Sequence, residues 1–78
     1  MQVYYFDTRD DDVFIEDDVG VELEDLEAAK SVAAKSLAEL AVDVLPGSVR
    51  RELAVEVRDE TVIVLKTLMH FEAIVLSD

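Results

Sequence analysis

The chain has 78 residues, with 19 acidic residues against 7 Lys or Arg, a formal net charge of −12 and no cysteine. A chain of this length forms a single domain, 1–78, with a small core, and without cysteine it has neither disulfides nor thiolate chemistry. The acidic excess repels phosphates, so we expect no binding to nucleic acid or to an anionic membrane. No apolar run reaches the roughly 18 residues that span a bilayer. The N-terminal residues do not resemble a secretory signal, so we expect a cytoplasmic protein.

The first third of the chain predicts a β-hairpin with an acidic turn. Residues 2–8 are rich in Tyr, Phe and Val and are apolar on both faces, which favours an interior strand. Residues 13–15 predict a second, short strand, and the polar residues 9–12 predict the turn between them. Residues 1–27 hold eleven of the acids and a single base, Arg9, so most of the negative charge lies here.

The acidic turn is also the best candidate in the sequence for a metal site. Asp10, Asp11 and Asp12 offer the oxygen ligands that hard cations prefer. The calcium-loop pattern requires a further ligand and a glycine where this chain has Phe14 and Ile15, so the match fails. We therefore predict a solvated hairpin loop and no metal ligands, with weak divalent-metal binding as an alternative.

Residues 23–44 predict one amphipathic helix, on which the rest of the chain packs. Its apolar residues recur at steps of three and four, which places them on one face. Asp25 is the predicted N-cap, and Pro46 with Gly47 predicts an end near Val44. The predicted apolar face consists of Leu26, Ala29, Ala33, Leu37, Leu40 and Val44, and the solvent side of Glu24, Ser31, Lys35 and Glu39.

The last third predicts a second hairpin. Residues 53–58 alternate between apolar and polar, as in a half-buried strand, and residues 59–60 break the pattern. A fourth strand begins near residue 61, and residues 67–76 continue it, bend towards a second partner or turn helical. The chain therefore predicts an α+β two-layer sandwich, strand-strand-helix-strand-strand, with a four-stranded, mainly antiparallel sheet and one helix on one face. We expect the order 2-1-4-3, with the first and fourth predicted strands in the middle.

The opening Tyr4-Tyr5-Phe6-Asp7, together with residues 18–23, 25–29 and 53–59, resembles a family of small bacterial domains of unknown function. The resemblance implies a stand-alone bacterial cytoplasmic domain and supplies no catalytic residue. The chain departs from the family pattern after residue 59, where a glycine-containing turn is expected and Glu60 stands instead.

The helix is also similar to that of small antitoxin domains, which place a Leu-Glu-Ala-Ala type of helix after a hairpin. Residues 26–29 carry this weaker likeness. It implies an inhibitor of a basic, RNA-cleaving toxin. The acidic first third of the chain would be suited to binding such a toxin.

The sequence predicts neither catalytic nor cofactor-binding residues. Nucleophilic catalysis needs a nucleophile beside a base, and Ser31, Ser36 and Ser48 have no such neighbour in sequence. The one histidine, His70, lies in an apolar run, which favours a structural role. We therefore expect a protein that is not an enzyme and has no cofactor.

The remaining hypothesis is a small acidic interaction module that self-associates and also contacts a basic partner protein. A single helix covers one face of a sheet, so we expect the other face to be apolar and to bury itself in a homodimer. An alternative passes residues 67–76 to the sheet of the partner. The residues predicted to contribute to self-association are Tyr4, Tyr5, Phe6, Val62, Ile63, Val64 and Leu65.

Overall fold

A computed structural model describes residues 1–77 of the chain. Within these residues, an antiparallel sheet packs against a single helix. The predicted α+β class is confirmed, although the described residues form five strands instead of four. The elements in chain order are β1 (Gln2–Asp10), β2 (Val13–Ile15), β3 (Val21–Leu23), α1 (Leu26–Val44), β4 (Arg50–Arg58) and β5 (Ile63–Glu72).

The strands are ordered β2-β1-β4-β5, so the predicted order was wrong for the second hairpin. β4 lies in the interior and β5 at the edge. On the side away from α1, the buried carboxylate of Glu56 in β4 lies 3.7 Å from Arg9 of β1 and 3.6 Å from Lys66 of β5. A buried carboxylate requires such partners, and an interior strand can receive them from both of its neighbours.

The additional strand, β3, lies in the stretch that the sequence predicted as a connection. It pairs with residues 2–4 of β1, whereas β2 pairs with residues 8–10. Between these two pairings, the side chain of Asp17 accepts a hydrogen bond from the backbone N–H of Phe6 at 3.0 Å. β3 was missed because its three residues are too few to show alternation and include Glu22, whereas the equally short β2 is apolar throughout and was predicted.

Helix α1 ends at Val44 as predicted and begins after the predicted N-cap, although the predicted range of 23–44 was three residues too long at its start, where Leu23 belongs to β3. The side chain of Asp25 accepts a hydrogen bond from the N–H of Ala28 at 2.9 Å, as an N-cap should. Ala29 and Ala33 are fully buried and Leu37 nearly so. The small alanine side chains on the buried face of α1 let the sheet approach the helix closely. The core lies between this face and β4. The core residues of the sheet are Tyr4, Leu53, Val55 and Val57.

Strand β5 continues to Glu72, so the helical alternative for residues 67–76 was wrong. The turn before β5 needs no glycine. Oδ1 of Asp59 accepts hydrogen bonds from the N–H groups of Thr61 and Val62 at 2.7 and 2.8 Å. The hydrogen bonds from Val62 and then Thr61 lower the pKa of the Asp59 carboxyl. An aspartate that binds the following backbone is a common alternative to glycine in turns.

Candidate interaction surface

The face of the sheet away from α1, here called the open face, is covered by paired charges. The expectation of an apolar face was wrong, because the alternation along β4 and β5 directs most of the apolar residues of these strands to α1 and most of the charged ones outward. Because these charges pair with one another, the open face can stay exposed to water and needs no second layer of helices or strands to cover it. The ion pairs join Arg9 and Lys66 to Glu56, Arg58 to Asp7, and Arg50 to Glu72.

Two arginines also cover the aromatic rings of this face. The guanidinium carbon of Arg58 lies 4.5 Å from the ring centre of Tyr5, and that of Arg9 lies 4.5 Å from the ring centre of Phe14. At this distance the ring face attracts the cation. Tyr5, one of the residues predicted for self-association, is thus already covered within the same chain.

The most buried charge on the open face is Asp7, which is 3% exposed. Its carboxylate accepts hydrogen bonds from Nε of Arg58 and from the N–H of Asp17, both at 2.9 Å. Nη2 of Arg58 donates to the carbonyl oxygen of Asp17 at 2.7 Å. The connection between β2 and β3 is therefore held on the sheet by two hydrogen bonds of the Asp17 backbone, one to Asp7 and one from Arg58, instead of being a solvated loop.

The side chain of Asp17 organises the same connection. It accepts hydrogen bonds from the N–H groups of Phe6 and Val19, both at 3.0 Å, and of Gly20 at 3.3 Å. Burial alone would raise the pKa of the Asp17 carboxyl, but these hydrogen bonds outweigh it and lower the pKa. Gly20 has a φ of +77°, and a Cβ there would lie 2.8 Å from Cε1 of Tyr5, so only glycine fits this close approach.

Arg51 joins the turn of the first hairpin to the end of the helix. Its Nε and Nη2 donate to the two carboxylate oxygens of Asp10 at 2.7 and 2.9 Å. Its Nη1 donates to Oγ of Ser48 at 2.9 Å, and this hydroxyl donates to the carbonyl oxygen of Val44 at 2.6 Å. The hydrogen bond from Arg51 lowers the pKa of the Asp10 carboxyl and raises the pKa of the guanidinium.

The acidic turn is therefore occupied by contacts within the chain. Asp10 binds Arg51, and Oδ1 of Asp11 accepts a hydrogen bond from the N–H of Glu52 at 2.8 Å. Within residues 1–77, no group of three or more His, Cys, Asp or Glu residues could hold a metal ion. The alternative of a weak metal site thus gains no support from the geometry.

Strand β5 is paired on one side only, since β4 is its sole partner among the described residues. The N–H of Ala73, just after β5, donates to the carbonyl oxygen of Val49 at 2.8 Å. Hydrogen bonding alternates along an antiparallel strand, so every second residue directs its N–H and C=O away from β4. These residues, Lys66, Leu68, His70 and Glu72, are here called the β5 outer edge.

Exposed apolar residues lie at both ends of β5. Val62 and Ile63 at its start are 57% and 58% exposed, and Ile74, Val75 and Leu76 after its end are 69%, 81% and 92% exposed. The last three are here called the apolar tail. A wide apolar hollow of about 550 Å³ lies nearby, at the end of α1, and is lined by Ala41, Val42, Leu45, Pro46 and Phe71.

The residues predicted for self-association occupy three different environments. Tyr4 is buried in the core, and Phe6, Val64 and Leu65 pack against that core. Tyr5 lies under Arg58, as described above. Only Val62 and Ile63 are exposed, and they lie beside the β5 outer edge. The set as a whole stays a prediction.

The outer edge itself was not predicted, although its signal is present in the sequence. From residue 65 to 72, three large apolar residues and Thr67 alternate with Lys66, Leu68, His70 and Glu72, which is the period of a strand with one covered face. Leu68 obscured the pattern, because it is an apolar residue on the polar side and is 71% exposed. Which of the two hairpin strands lies at the edge depends on long-range pairing, which no local pattern encodes.

Comparison with known proteins gives one result. A family model described as DUF6894, a domain of unknown function, matches residues 3–71, and the chain therefore belongs to this family. No curated protein and no solved structure gives a significant match. The expectation of a domain of unknown function is confirmed, whereas the Tyr-Tyr-Phe-Asp signature and the antitoxin likeness stay predictions. Within residues 1–77, no helix is both long enough and apolar enough to cross a membrane.

Proposed function

We propose that this DUF6894 domain is a non-catalytic interaction module, which associates with another polypeptide, in the first place a second copy of itself, by adding a strand to β5. The observation that carries the proposal is the β5 outer edge, whose backbone groups have no partner in the described chain. Strand addition supplies main-chain hydrogen bonds to such an edge and uses the alternate side chains for specificity.

The edge lacks two of the features that discourage strand addition, namely short length and proline. Natural edge strands are often short, or carry proline, charged residues or a bulge. β5 has ten residues without proline, although it carries Lys66 and Glu72 and has an extra residue, Val64, near its start. The opposite edge of the sheet is divided between two strands of three residues each, with Asp17 between them. The two edges therefore differ, and β5 is the one suited to pairing.

Substitution of Leu68 by proline tests the proposal. Leu68 directs its N–H outward, so proline removes a donor from the outer edge without removing a hydrogen bond to β4. The matched control is Leu68→Ala, which shortens the same exposed side chain and keeps the donor. We expect light scattering to give about twice the monomer mass of 8.7 kDa for the wild type and for the alanine variant, and the monomer mass for the proline variant.

Thermal melting at low protein concentration checks that the proline variant is folded. A wild-type mass of 8.7 kDa at micromolar concentration and physiological salt would refute self-association. A proline variant that is folded and still dimeric would show that another surface is used.

A basic partner would bind elsewhere on the molecule. Asp18, Glu22 and Glu24 are exposed and form no ion pair within residues 1–77, so their negative potential is available for binding. They lie on the far side of the sheet from β5. A labelled oligolysine peptide that perturbs the NMR signals of residues 18–24, but not those of β5, would support this second contact. Uniform perturbation across the acidic surface would refute a defined site.

A further inference from the structure

We infer that two copies of this chain pair through β5 in one register, with Lys66 of one copy facing Glu72 of the other and each apolar tail crossing the start of the partner's β5. This inference rests on the proposed function, because it specifies the partner and geometry of the same edge. It follows from three independent patterns along the strand, namely the hydrogen-bonding alternation, the charges and the exposed apolar residues.

The hydrogen-bonding alternation limits the number of registers. In a two-fold antiparallel pair, the numbers of any two facing residues have a constant sum. Residues that direct their backbone groups outward must face each other, and on β5 these are Lys66, Leu68, His70 and Glu72. The sum must therefore be even, and each allowed register differs from the next by a shift of two residues.

The charges then distinguish the allowed registers. When Lys66 faces Glu72, each dimer gains this opposite-charge pair twice, and Leu68 faces His70. A shift in one direction places Lys66 opposite His70 and leaves Glu72 opposite Val64. A shift in the other direction places Lys66 opposite Ile74 and Glu72 opposite Leu68. Opposite charges directly across a strand pair are stabilising. Lys66 and Glu72 already pair with Glu56 and Arg50 within their own chain, and only the first register gives both of them a second opposite charge from the other copy.

The same register also covers the exposed apolar residues at both ends of the strand. With Lys66 opposite Glu72, the apolar tail of one copy reaches Ile63 and Val62 of the other, where the extra residue Val64 shifts the pairing by one. Five side chains that are 57% to 92% exposed in the single chain thus become neighbours. Two-fold symmetry repeats this contact, so the exposed residues of each copy are complementary to those of its partner.

Mixed cysteine variants test the register directly, because the natural chain has no cysteine. Lys66→Cys and Glu72→Cys are made in separate proteins, mixed at low micromolar concentration and oxidised. A mixed dimer then holds one Cys–Cys pair and one intact Lys66–Glu72 pair. Facing residues lie about 5.5 Å apart between Cα atoms, within reach of a disulfide. The control mixture pairs Lys66→Cys with His70→Cys, which face each other only after a shift of two residues.

We expect the 66–72 mixture to yield a disulfide-linked heterodimer, and the 66–70 mixture and each single variant alone to yield several-fold less. A control mixture that cross-links as well as the 66–72 mixture would overturn the register. If the wild type is a dimer but neither mixture of cysteine variants cross-links, the register is overturned too, while self-association stands. A monomeric wild type would instead refute the proposed function on which the register rests.

A matched pair of aspartate substitutions tests the apolar tail. Val75→Asp and Val19→Asp change residues that are 81% and 83% exposed, and each adds one negative charge. Val19 lies beyond the opposite edge of the sheet. Burial of an apolar side chain stabilises an interface by about tenfold in Kd or more. We expect Val75→Asp to raise the dimer Kd at least about tenfold above that of Val19→Asp; equal Kd values would overturn the tail contact.

Discussion

Removal of the buried charge at position 7 should destabilise the fold more than any other change to the acidic surface. In Asp7→Asn, an amide of the same shape faces Arg58 and loses the charge that balances the guanidinium. Loss of one partner of a fully buried ion pair costs about 3–5 kcal/mol. The side chain of Arg58 is 26% exposed and also bonds to the carbonyl of Asp17, so we expect about 2–3 kcal/mol. A chain of this length has a total stability of only about 4–12 kcal/mol.

Glu16→Gln is the matched control, because Glu16 contacts the same guanidinium at 3.4 Å with a side chain that is 67% exposed. Its loss should cost less than about 0.5 kcal/mol. With a urea dependence of about 1 kcal/mol per molar, the Asp7 variant should unfold about 2–3 M earlier than the wild type, and the Glu16 variant within about 0.5 M. Equal urea midpoints for the two variants would refute the argument from burial. In a double-mutant cycle, Arg58→Met should cost less in the Asp7→Asn background than alone.

Three further predictions concern the helix, the glycines and acid. Leu37→Ala should lower the free energy of unfolding by about 2–5 kcal/mol, whereas Glu39→Ala on the solvent side should change it by less than about 0.5 kcal/mol; equal urea midpoints would contradict the packing of α1. Gly20→Ala should cost more than Gly47→Ala, since both have positive φ but only the first would place a Cβ within 4 Å of other atoms; equal melting temperatures would refute the clash. The hydrogen bonds to the Asp17 carboxylate lower its pKa in the folded chain, so the native state binds fewer protons than the unfolded state. Stability from this group is present above about pH 4 and is lost as the pH falls through the folded pKa. Wild type should therefore lose more stability between pH 5 and pH 2.5 than Asp17→Asn does, and parallel losses would contradict this sign.

The elements that the sequence predicted well are those defined by local chemistry. The start and the end of α1 are set by a capping aspartate and by a proline, which both act within one helical turn. Asp25 and Pro46 have the roles that the sequence predicted for them. The strands were found wherever alternation or β-branched residues ran for several positions. The class of the fold follows from these elements, since one helix and two hairpins have few compact arrangements.

The order of the strands and the nature of the open face depend on partners that are distant in sequence. In the sequence, Glu56 resembles an ordinary solvent-facing residue of a half-buried strand. It is only 7% exposed, because Arg9 and Lys66, which are 47 and 10 residues away in the sequence, form ion pairs with it and cover it. Apolar residues on both faces favoured an interior position for the last strand, whereas Glu56 of β4 needs ion-pair partners from a strand on each side. The last strand was therefore wrongly placed in the interior, and the β5 outer edge was not predicted as a candidate site.

The paired charges of the open face explain why the edge, instead of the face, is the proposed site of association. A flat apolar face would associate over a large area in many orientations, whereas a face of satisfied ion pairs gains little from contact with a copy of itself. The backbone groups of the β5 outer edge have no such partners within the described chain, and the exposed apolar residues flank that edge at both ends. The net charge of −12 opposes association of two copies, so added salt should strengthen a dimer held by backbone hydrogen bonds and apolar contacts. Salt should weaken the contact with a basic partner, and the opposite sign of the two salt effects separates the two surfaces by experiment.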